Sequence, residues 1–507
     1  MEMDTISSAF RKKVGTVQAV AEQRLEPQNE QNIDKVLGVD ATGYINSFEV
    51  LNGEANWTAN VVFNATYLTE TGEICSMSET TNVSGKFDDN TLSSLMEPLY
   101  KLEVVDVSIE NANNSDVRVQ ATVEVSLDVI DNASLEALDS KDENVIVKNE
   151  SANVLTKCDS GKATINIQDD FDLKQNIEQV VFKCASVCVK DVTVGTGYFT
   201  VEGDVFVKAC VLLTNGEDKT YKTISEVINF KEEVDAENVT KDSMLEIAPC
   251  IKYDEVAFAV SGNGEINNML NVSVPVIIRY VALKMTDYQM PCDAYSLTHK
   301  LNLVTDTFFT SNVNKQLLKH HLEGNIEIDE MMPRINKIIM VNGGNVNLTT
   351  IKGEDGKLLL QGVFTANVIY LADDDDETKN SVQVEVPFSL ELDMDNIKID
   401  DDIFVIASVG EVTCKAKKGK EIDIDADLSF AVENYSKTAQ TFVKEVVLTE
   451  EIAHSPYPLA IYLAPAGSTL WDISKKLNVQ EDVVISQNPN LVFPLDKPES
   501  IVYFNQR

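Results

Sequence analysis

A strict alternation of apolar and polar residues recurs three times along the chain and constrains the fold more than any other feature. Through 117–129 every second residue is apolar, and the residues between them are polar. Closely similar alternation runs through 270–278 and 422–432. Alternation of this kind predicts a strand with one buried and one solvent-facing side, as in an antiparallel sheet. Pro275 in the second stretch predicts an edge strand or a bulge there, because proline lacks the N–H that a ladder needs.

The three alternating stretches close a weak repeat with a period of about 145 to 160 residues. Its first block is similar at 33–37, 177–181 and 335–339, and its second begins with Gly203 and Gly362 in the later copies. Acidic connections at 88–98, 231–244 and 393–402 divide each copy into two halves that we expect to be meanders. The pattern predicts a mainly β protein of three tandem antiparallel β-sandwich-like repeats.

The chain is too long for a single hydrophobic core at 507 residues, so we divide it into four domains. We expect the first β-repeat, with its N-terminal leader, at 1–150 and the second at 151–290. A linker strand and the third repeat are expected at 291–450. A small helical unit at 456–507 has no counterpart in the preceding repeats.

Composition excludes several classes of partner. The chain has 42 basic and 82 acidic residues, and its net charge of −40 would repel nucleic acid and anionic lipid. Eight cysteines without a CxxC pair indicate reduced thiols. No apolar segment is long enough to span a bilayer, and the first twenty residues lack a signal-peptide core. We therefore expect a cytoplasmic protein.

No pattern of catalytic residues stands out, and we expect no enzyme, cofactor or metal. The chain lacks HExxH, GxSxG and the glycine-rich nucleotide-binding motifs. His320 and His321 are expected to be solvated in a polar linker rather than bound to metal. Cys184 and Cys188 would lie about 13 Å apart on a strand, which favours buried thiols over a disulfide. Asp373–Asp376 fits a solvated hairpin tip better than a calcium site, which needs ligands from several segments.

The C-terminal unit reads as strand, helix, helix and strand. Ser468 or Thr469 can cap the first helix, whose Leu470 and Ile473 have the spacing of one buried face. Pro489 stops the second helix. We expect Trp471 to fill the core of the unit rather than to form a platform for a sugar ring.

These residues, "GSTLWDI" at 467–473 and "NPNL" at 488–491, resemble a LysM domain, a βααβ module. The resemblance implies a groove for N-acetylglucosamine-containing glycans between the loop before the first helix and the loop after the second. Carried over, the partner- or glycan-binding residues are Gly467, Ser468, Thr469, Leu470, Asn488, Pro489, Asn490 and Leu491. Residues 461–507 carry four basic and five acidic residues, a net charge of −1 that leaves −39 for the rest of the chain.

The order of the repeat blocks and the motifs "GVFTANVIYL" (362–371) and "EVPFSLEL" (385–392) resemble SPOCS domains. Three such domains followed by one LysM domain are similar to the SPOCS/LysM proteins that direct spore-coat assembly in clostridia and related bacteria. The resemblance implies a non-enzymatic adaptor made in the mother cell and recruited to the forespore surface. Its implied partner is a spore-coat assembly ATPase (SpoIVA-like), contacted through the LysM module.

Two other functions stay open at this point. One is a LysM protein that binds peptidoglycan or another N-acetylglucosamine polymer. The other is a homo-oligomeric structural subunit whose copies join into a filament or sheet. We expect neither nucleic-acid binding nor a membrane span under any of the three.

Overall fold

The computed structural model describes residues 6–27, 32–135, 138, 142–262, 264, 266–354, 356–394, 397–399, 401–417, 419–453, 457 and 459–504, with main chain alone at 6–7, 133–135 and 309–312. The chain is mainly β, with several antiparallel sheets, which confirms that part of the predicted fold class. Three stretches, called segments 1 to 3, span 6–135, 145–296 and 299–451. A small C-terminal module follows at 459–504.

Segment 1 forms two three-stranded sheets. Its strands are β1 (Ile6–Leu25), β2 (Ile33–Leu51), β3 (Glu54–Thr69), β4 (Ile74–Asp88), β5 (Glu97–Ala112) and β6 (Val117–Leu135). The sheet β2-β3-β4 is a meander, whereas the other has the order β1-β6-β5. The prediction of two meanders is therefore wrong for the second half, because the first strand of the segment pairs with its last.

Segments 2 and 3 repeat this order of strands. Segment 2 contains β7 (Val145–Asp172), β8 (Asn176–Val194), β9 (Tyr198–Asn215), β10 (Asp218–Asp235), β11 (Ser243–Ile251), β12 (Ala257–Ser261) and β13 (Met269–Ser296). Segment 3 contains β14 (His299–Glu327), β15 (Ile335–Glu354), β16 (Lys357–Ala372), β17 (Lys379–Asp393), β18 (Asp402–Lys417) and β19 (Glu421–Glu451). The meanders are β8-β9-β10 and β15-β16-β17. In the other sheets β13 lies between β7 and the pair β11 and β12, and β19 lies between β14 and β18.

The three alternating stretches belong to β6, β13 and β19, the central strands of these sheets. Their alternate apolar side chains, such as Val123, Val274 and Leu428, are buried in the core of each segment. Pro275 was expected at an edge or bulge, yet β13 has neighbours on both sides. On the side away from β7, Pro275 faces the gap between β11 and β12, where its carbonyl accepts from Lys252 N at 3.0 Å. The nitrogen of Pro275 lies on the same side of the strand as its carbonyl and therefore also faces the gap. The absence of an N–H there removes no hydrogen bond between strands.

Strand limits differ from the expected boundaries of the domains. The boundary at 150/151 falls within β7, and the boundary at 290/291 falls within β13. The stretch 286–321 was expected to be a linker followed by an added strand. The strand is present as β14, but there is no linker, because β13 and β14 are separated only by 297–298. His320 and His321 consequently lie on a strand, where His321 Nδ1 is 2.7 Å from the Asp427 carboxylate.

Contacts between segments are both apolar and ionic. One apolar cluster joins Leu37 of β2, Val181 of β8 and Met340 of β15. A second joins Ala9 of β1 and Val281 of β13.

A buried ion network also links the three segments. The Arg11 guanidinium (β1) lies 3.0 Å from Asp128 (β6) and 3.1 Å from Glu433 (β19). Glu246 of β11 is 3.9 Å from Arg11, and Lys315 Nζ of β14 lies 3.0 Å from Glu246 and 2.7 Å from Glu433. Removing one member of such a buried network leaves uncompensated charge, so the network opposes separation of the three segments.

The C-terminal module consists of β20 (Leu459–Ala464), α1 (Leu470–Leu477), α2 (Glu481–Gln487) and β21 (Glu499–Phe504). The two strands pair antiparallel, and the module has its own core of Ala464, Ile473, Val479, Val484, Leu495 and Ile501. Residues 456 and 505–507, at the ends of the expected domain, lie outside the described residues. Among the described helices, none has the length and apolar character needed to cross a bilayer.

Candidate functional site

Helix α1 begins at a capping box formed by Thr469, one of the two caps that the sequence allowed. Thr469 Oγ1 accepts a hydrogen bond from Asp472 N at 3.2 Å, and the Asp472 carboxylate accepts from Thr469 N at 3.0 Å. The hydrogen bonds that Thr469 donates hold the pKa of Asp472 below its usual range. Thr469 is thus the N-cap, and such a cap stabilises a helix by about 1 kcal/mol.

The loop before α1 is tied to the chain that follows α2. Gly467 has a φ of 82°, a left-handed conformation that favours glycine. Its N–H donates to Leu495 O at 2.6 Å, and Leu495 N donates to Ser468 O at 3.0 Å. These two bonds tie the loop before α1 to the stretch between α2 and β21.

Asn488 has an internal role. Its side chain is buried and donates to Val484 O and Val502 O, both at 2.9 Å. Its Oδ1 accepts from Val502 N at 2.8 Å. The amide therefore joins the end of α2 to β21, and no part of it is left to contact a partner.

The other candidate residues divide into exposed and core-facing groups. Gly467, Thr469, Pro489 and Asn490 are exposed. Leu470 and Leu491 pack partly against the same module core, and Ser468 is half-buried. Neither 467–470 nor 488–491 contains a charged side chain, so the two loops present a neutral surface on a strongly acidic protein.

The module contacts segment 2 through the outer side of α1. Trp471 Nε1 donates to Asp293 Oδ2 at 2.9 Å, and Lys475 Nζ lies 2.7 Å from the same oxygen. The Trp471 ring meets Tyr295 edge to face, with centroids 4.9 Å apart. The prediction that Trp471 fills the module core is wrong, because the ring is half-buried and packs against β13.

Hydrogen bonds from side chains to main-chain oxygens extend this contact to the end of α1. Tyr295 OH donates to Val479 O at 2.7 Å, and Asn478 Nδ2 donates to Ser296 O at 2.9 Å. Burial raises the pKa of Tyr295 to about 12, so its hydroxyl remains a donor. Burial opposes ionisation of Asp293, but the bonds from Lys475 and Trp471 outweigh it and hold the pKa of that carboxyl below its usual range. Sequence reasoning missed this contact, since nothing local marks residues 293–296 as a receiving surface.

The remaining sequence candidates show no assembled chemistry. Asp373–Asp376 form the exposed tip between β16 and β17, as predicted, and Asp374 Oδ1 accepts from Thr378 N at 2.8 Å. Cys184 is half-buried and Cys188 buried, and all eight cysteines are free. Within the described part of the chain, no group of three His, Cys, Asp or Glu side chains is placed to hold a metal ion.

Comparison with known proteins identifies one part of the chain. Residues 334–417 match the family model described as SipL, SPOCS domain. They cover β15 to β18 of segment 3. No curated protein and no solved structure gives a significant match. The chain is thus a SPOCS-containing protein similar to SipL.

Proposed function

We propose that this chain is a non-enzymatic assembly protein of the spore envelope that docks to a protein partner through its C-terminal module. The SPOCS match at 334–417 supports a role in sporulation. The shared strand order of the three segments supports the further proposal that each is a SPOCS-type repeat. The βααβ order of the module supports a LysM-type domain. The proposed partner is a coat-assembly ATPase (SpoIVA-like) on the forespore surface.

The main support for this proposal is the orientation of the module, which leaves its two uncharged loops accessible. Trp471, Lys475 and Asn478 fix α1 on β13, whereas the uncharged loops 467–470 and 488–491 keep exposed residues. A partner that covers uncharged loops need not strip water from unpaired charges, which is costly. The remainder of the chain carries a net charge of −39, against −1 for residues 461–507.

The geometry narrows the proposed contact residues. Gly467, Thr469, Pro489 and Asn490 can touch a partner directly because they are exposed. Interfaces concentrate their binding energy in a few central residues, and the half-exposed Leu491 beside the Asn-Pro-Asn turn is the apolar candidate for that role. Leu470, Ser468 and Asn488 shape the loops from beneath.

The test uses the full-length protein carrying Pro489→Glu and Asn490→Glu. Both side chains are exposed, so the fold should persist, as circular dichroism and the melting temperature would show. Co-precipitation with the partner and localisation at the forespore should be lost. Lys476→Glu is the control, because it changes the net charge by the same two units at an exposed position of α1 outside the proposed contact.

Two outcomes would contradict protein docking by these loops. Normal recruitment of the folded double variant would show that another surface binds the partner. Retention of the wild-type chain on chitin oligomers, lost in the double variant, would instead support a glycan-binding LysM domain.

The outer face of β20 favours assembly of copies as a second candidate function. Leu459, Ile461 and Leu463 point away from the module core and are 46%, 66% and 66% exposed. Phe504, which pairs with Leu459, extends the apolar face onto β21 and is 51% exposed. Sedimentation velocity across protein concentration would test this. Oligomers that disappear in an Ile461→Ser, Leu463→Ser variant would support the subunit role, and a monomer at every concentration would exclude it.

A further inference from the structure

A cavity of about 1020 Å³ lies at the junction of the three segments. Asp40 of β2, Cys184 of β8 and Gly343 of β15 each contribute to its wall. A recess of about 50 Å³ shares part of the lining. Pockets of this size at the junction of structural units are typical places for small ligands.

Most carboxylates that line the cavity already have partners. Glu97 is paired with Lys157, and Glu103 with Lys101. Asp254 accepts hydrogen bonds from Tyr44 OH at 3.0 Å and from Asn60 Nδ2 at 3.1 Å. The acidic groups are therefore largely satisfied by the protein itself.

Four cations on the wall form no ion pair with a carboxylate among the described residues. Two of them donate to main-chain oxygens instead, Lys183 to Val256 O at 2.8 Å and Lys208 to Val412 O at 3.1 Å.

The other two face each other across neighbouring strands. Lys162 of β7 and Arg279 of β13 are directly opposite each other in the antiparallel register. Both line the cavity and the recess, and among the described residues neither forms an ion pair with a carboxylate. Like charges directly opposite on neighbouring strands destabilise a sheet. In a chain with a net charge of −40, such a pair is unexpected unless an anion lies between them.

Arg279 is held in position to receive an anion. Its guanidinium lies over the Tyr100 ring at 3.7 Å, and the Tyr100 ring is stacked on Phe48 with centroids 4.4 Å apart. One guanidinium nitrogen donates to Tyr100 O at 3.0 Å. This arrangement fixes the plane of the group while using a single N–H, and the others can bind the two oxygens of a carboxylate or phosphate.

We propose that the cavity binds an organic anion, with its oxygen atoms between Lys162 and Arg279 and an apolar body against the neighbouring wall. Ile45, Leu102 and Ile277 line the recess beside the two cations and supply the apolar contacts. The site is independent of the C-terminal module, so its test does not depend on the docking proposal. The occupant brings the negative charge that the wall lacks at this point.

Isothermal titration of the full-length protein with decanoate tests this inference, with decanol as the uncharged probe of the same chain length. Decanoate should bind once per chain, and decanol at least tenfold more weakly. Lys162→Gln and Arg279→Gln should each weaken decanoate binding at least tenfold. Lys162 is exposed, so its substitution should leave the fold intact even if that of Arg279 does not.

The matched control is Lys231→Gln on β10, an exposed lysine paired with Glu202 away from the cavity. It should bind decanoate as the wild type does. No decanoate binding, equal binding of decanol, or unchanged affinity in the folded Lys162→Gln variant would each overturn the proposal.

Discussion

The indole N–H of Trp471 donates to the carboxylate of Asp293 at 2.9 Å and joins two residues that are 178 positions apart. The Lys475 ammonium lies on the same carboxylate at 2.7 Å. One aspartate of β13 thus receives two side chains from successive turns of α1. It fixes how the module is presented to whatever binds its loops.

Asp293→Ala should release the module from segment 2 while leaving the module folded. The substitution removes the acceptor for both Trp471 and Lys475, and each lost bond to a partly exposed charge costs about 1 kcal/mol or less. Trp57, the other tryptophan, is 1% exposed and stays protected in segment 1. Acrylamide quenching of tryptophan fluorescence should therefore increase, and the increase reports Trp471 alone.

Lys476→Ala serves as the control for this measurement, because Lys476 is the exposed neighbour of Lys475 on the same helix. Its quenching should equal that of the wild type. Equal quenching in Asp293→Ala as well would mean that Tyr295 and Ser296 hold the module without the aspartate.

Within the module, Ile473→Ala and Trp471→Ala should have opposite consequences. Ile473 is 1% exposed in the module core, and truncating such a residue costs about 2–5 kcal/mol, comparable to the stability of a small domain. Trp471 packs outside that core. Hydrogen exchange should show α1 and α2 unprotected in Ile473→Ala and protected in Trp471→Ala. Loss of protection in both variants would place Trp471 in the core after all.

Those parts of the fold that depend on local periodicity could be predicted from the sequence. Alternation in β6 and β19 predicted one buried face, and the pair Ser468 and Thr469 predicted the start of α1, because both signals depend on neighbours a few positions away. The pairing of β1 with β6 was missed, since Leu25 finds Val117 across some ninety residues without any pattern linking the two. The prediction for Trp471 failed for the same reason. An amphipathic indole can lie in a core or at an interface, and its hydrogen bond to Asp293, a residue distant in sequence, places it at the interface.

The structure explains why the second block of the repeat begins with glycine at Gly203 and Gly362. A Cβ on Gly362 would lie 2.5 Å from Asn347 O and 2.8 Å from Phe388 Cζ. A Cβ on Gly203 would likewise lie 2.5 Å from Cys188 O and would also meet the ring of Phe230. A phenylalanine on the next strand covers each glycine where the sheet has no room for a methyl group.

Gly362→Ala should therefore destabilise segment 3 by about 1–3 kcal/mol, the usual cost of overpacking a core. The midpoint of thermal unfolding should fall, whereas Gln361→Ala, its neighbour on the other face of β16, should change it little. An unchanged midpoint in Gly362→Ala would show that β15 moves away from β16 without cost.

The buried ion network should make stability fall as pH rises through neutrality. Burial, together with the charge of Glu433, raises the pKa of Glu246 from 4.5 to about 7. Between these two values the folded protein keeps a proton that the unfolded chain has released, so each rise in pH lowers the free energy of unfolding. Glu433 contributes in the other direction. Burial raises its pKa, but the charges of Lys315 and Arg11 and the hydrogen bonds from Glu246 and Lys315 together outweigh burial and lower the pKa to about 2, so that stabilisation is already complete above pH 5. Glu246→Gln mimics the protonated side chain, so the decrease in the free energy of unfolding from pH 5.5 to 8, measured by denaturant titration, should be smaller than in the wild type by an amount on the order of 1 kcal/mol. Glu232→Gln, at an exposed position of β10, should keep the wild-type decrease. A decrease in Glu246→Gln as large as that of the wild type would mean that Glu246 is ionised in the folded protein throughout this range.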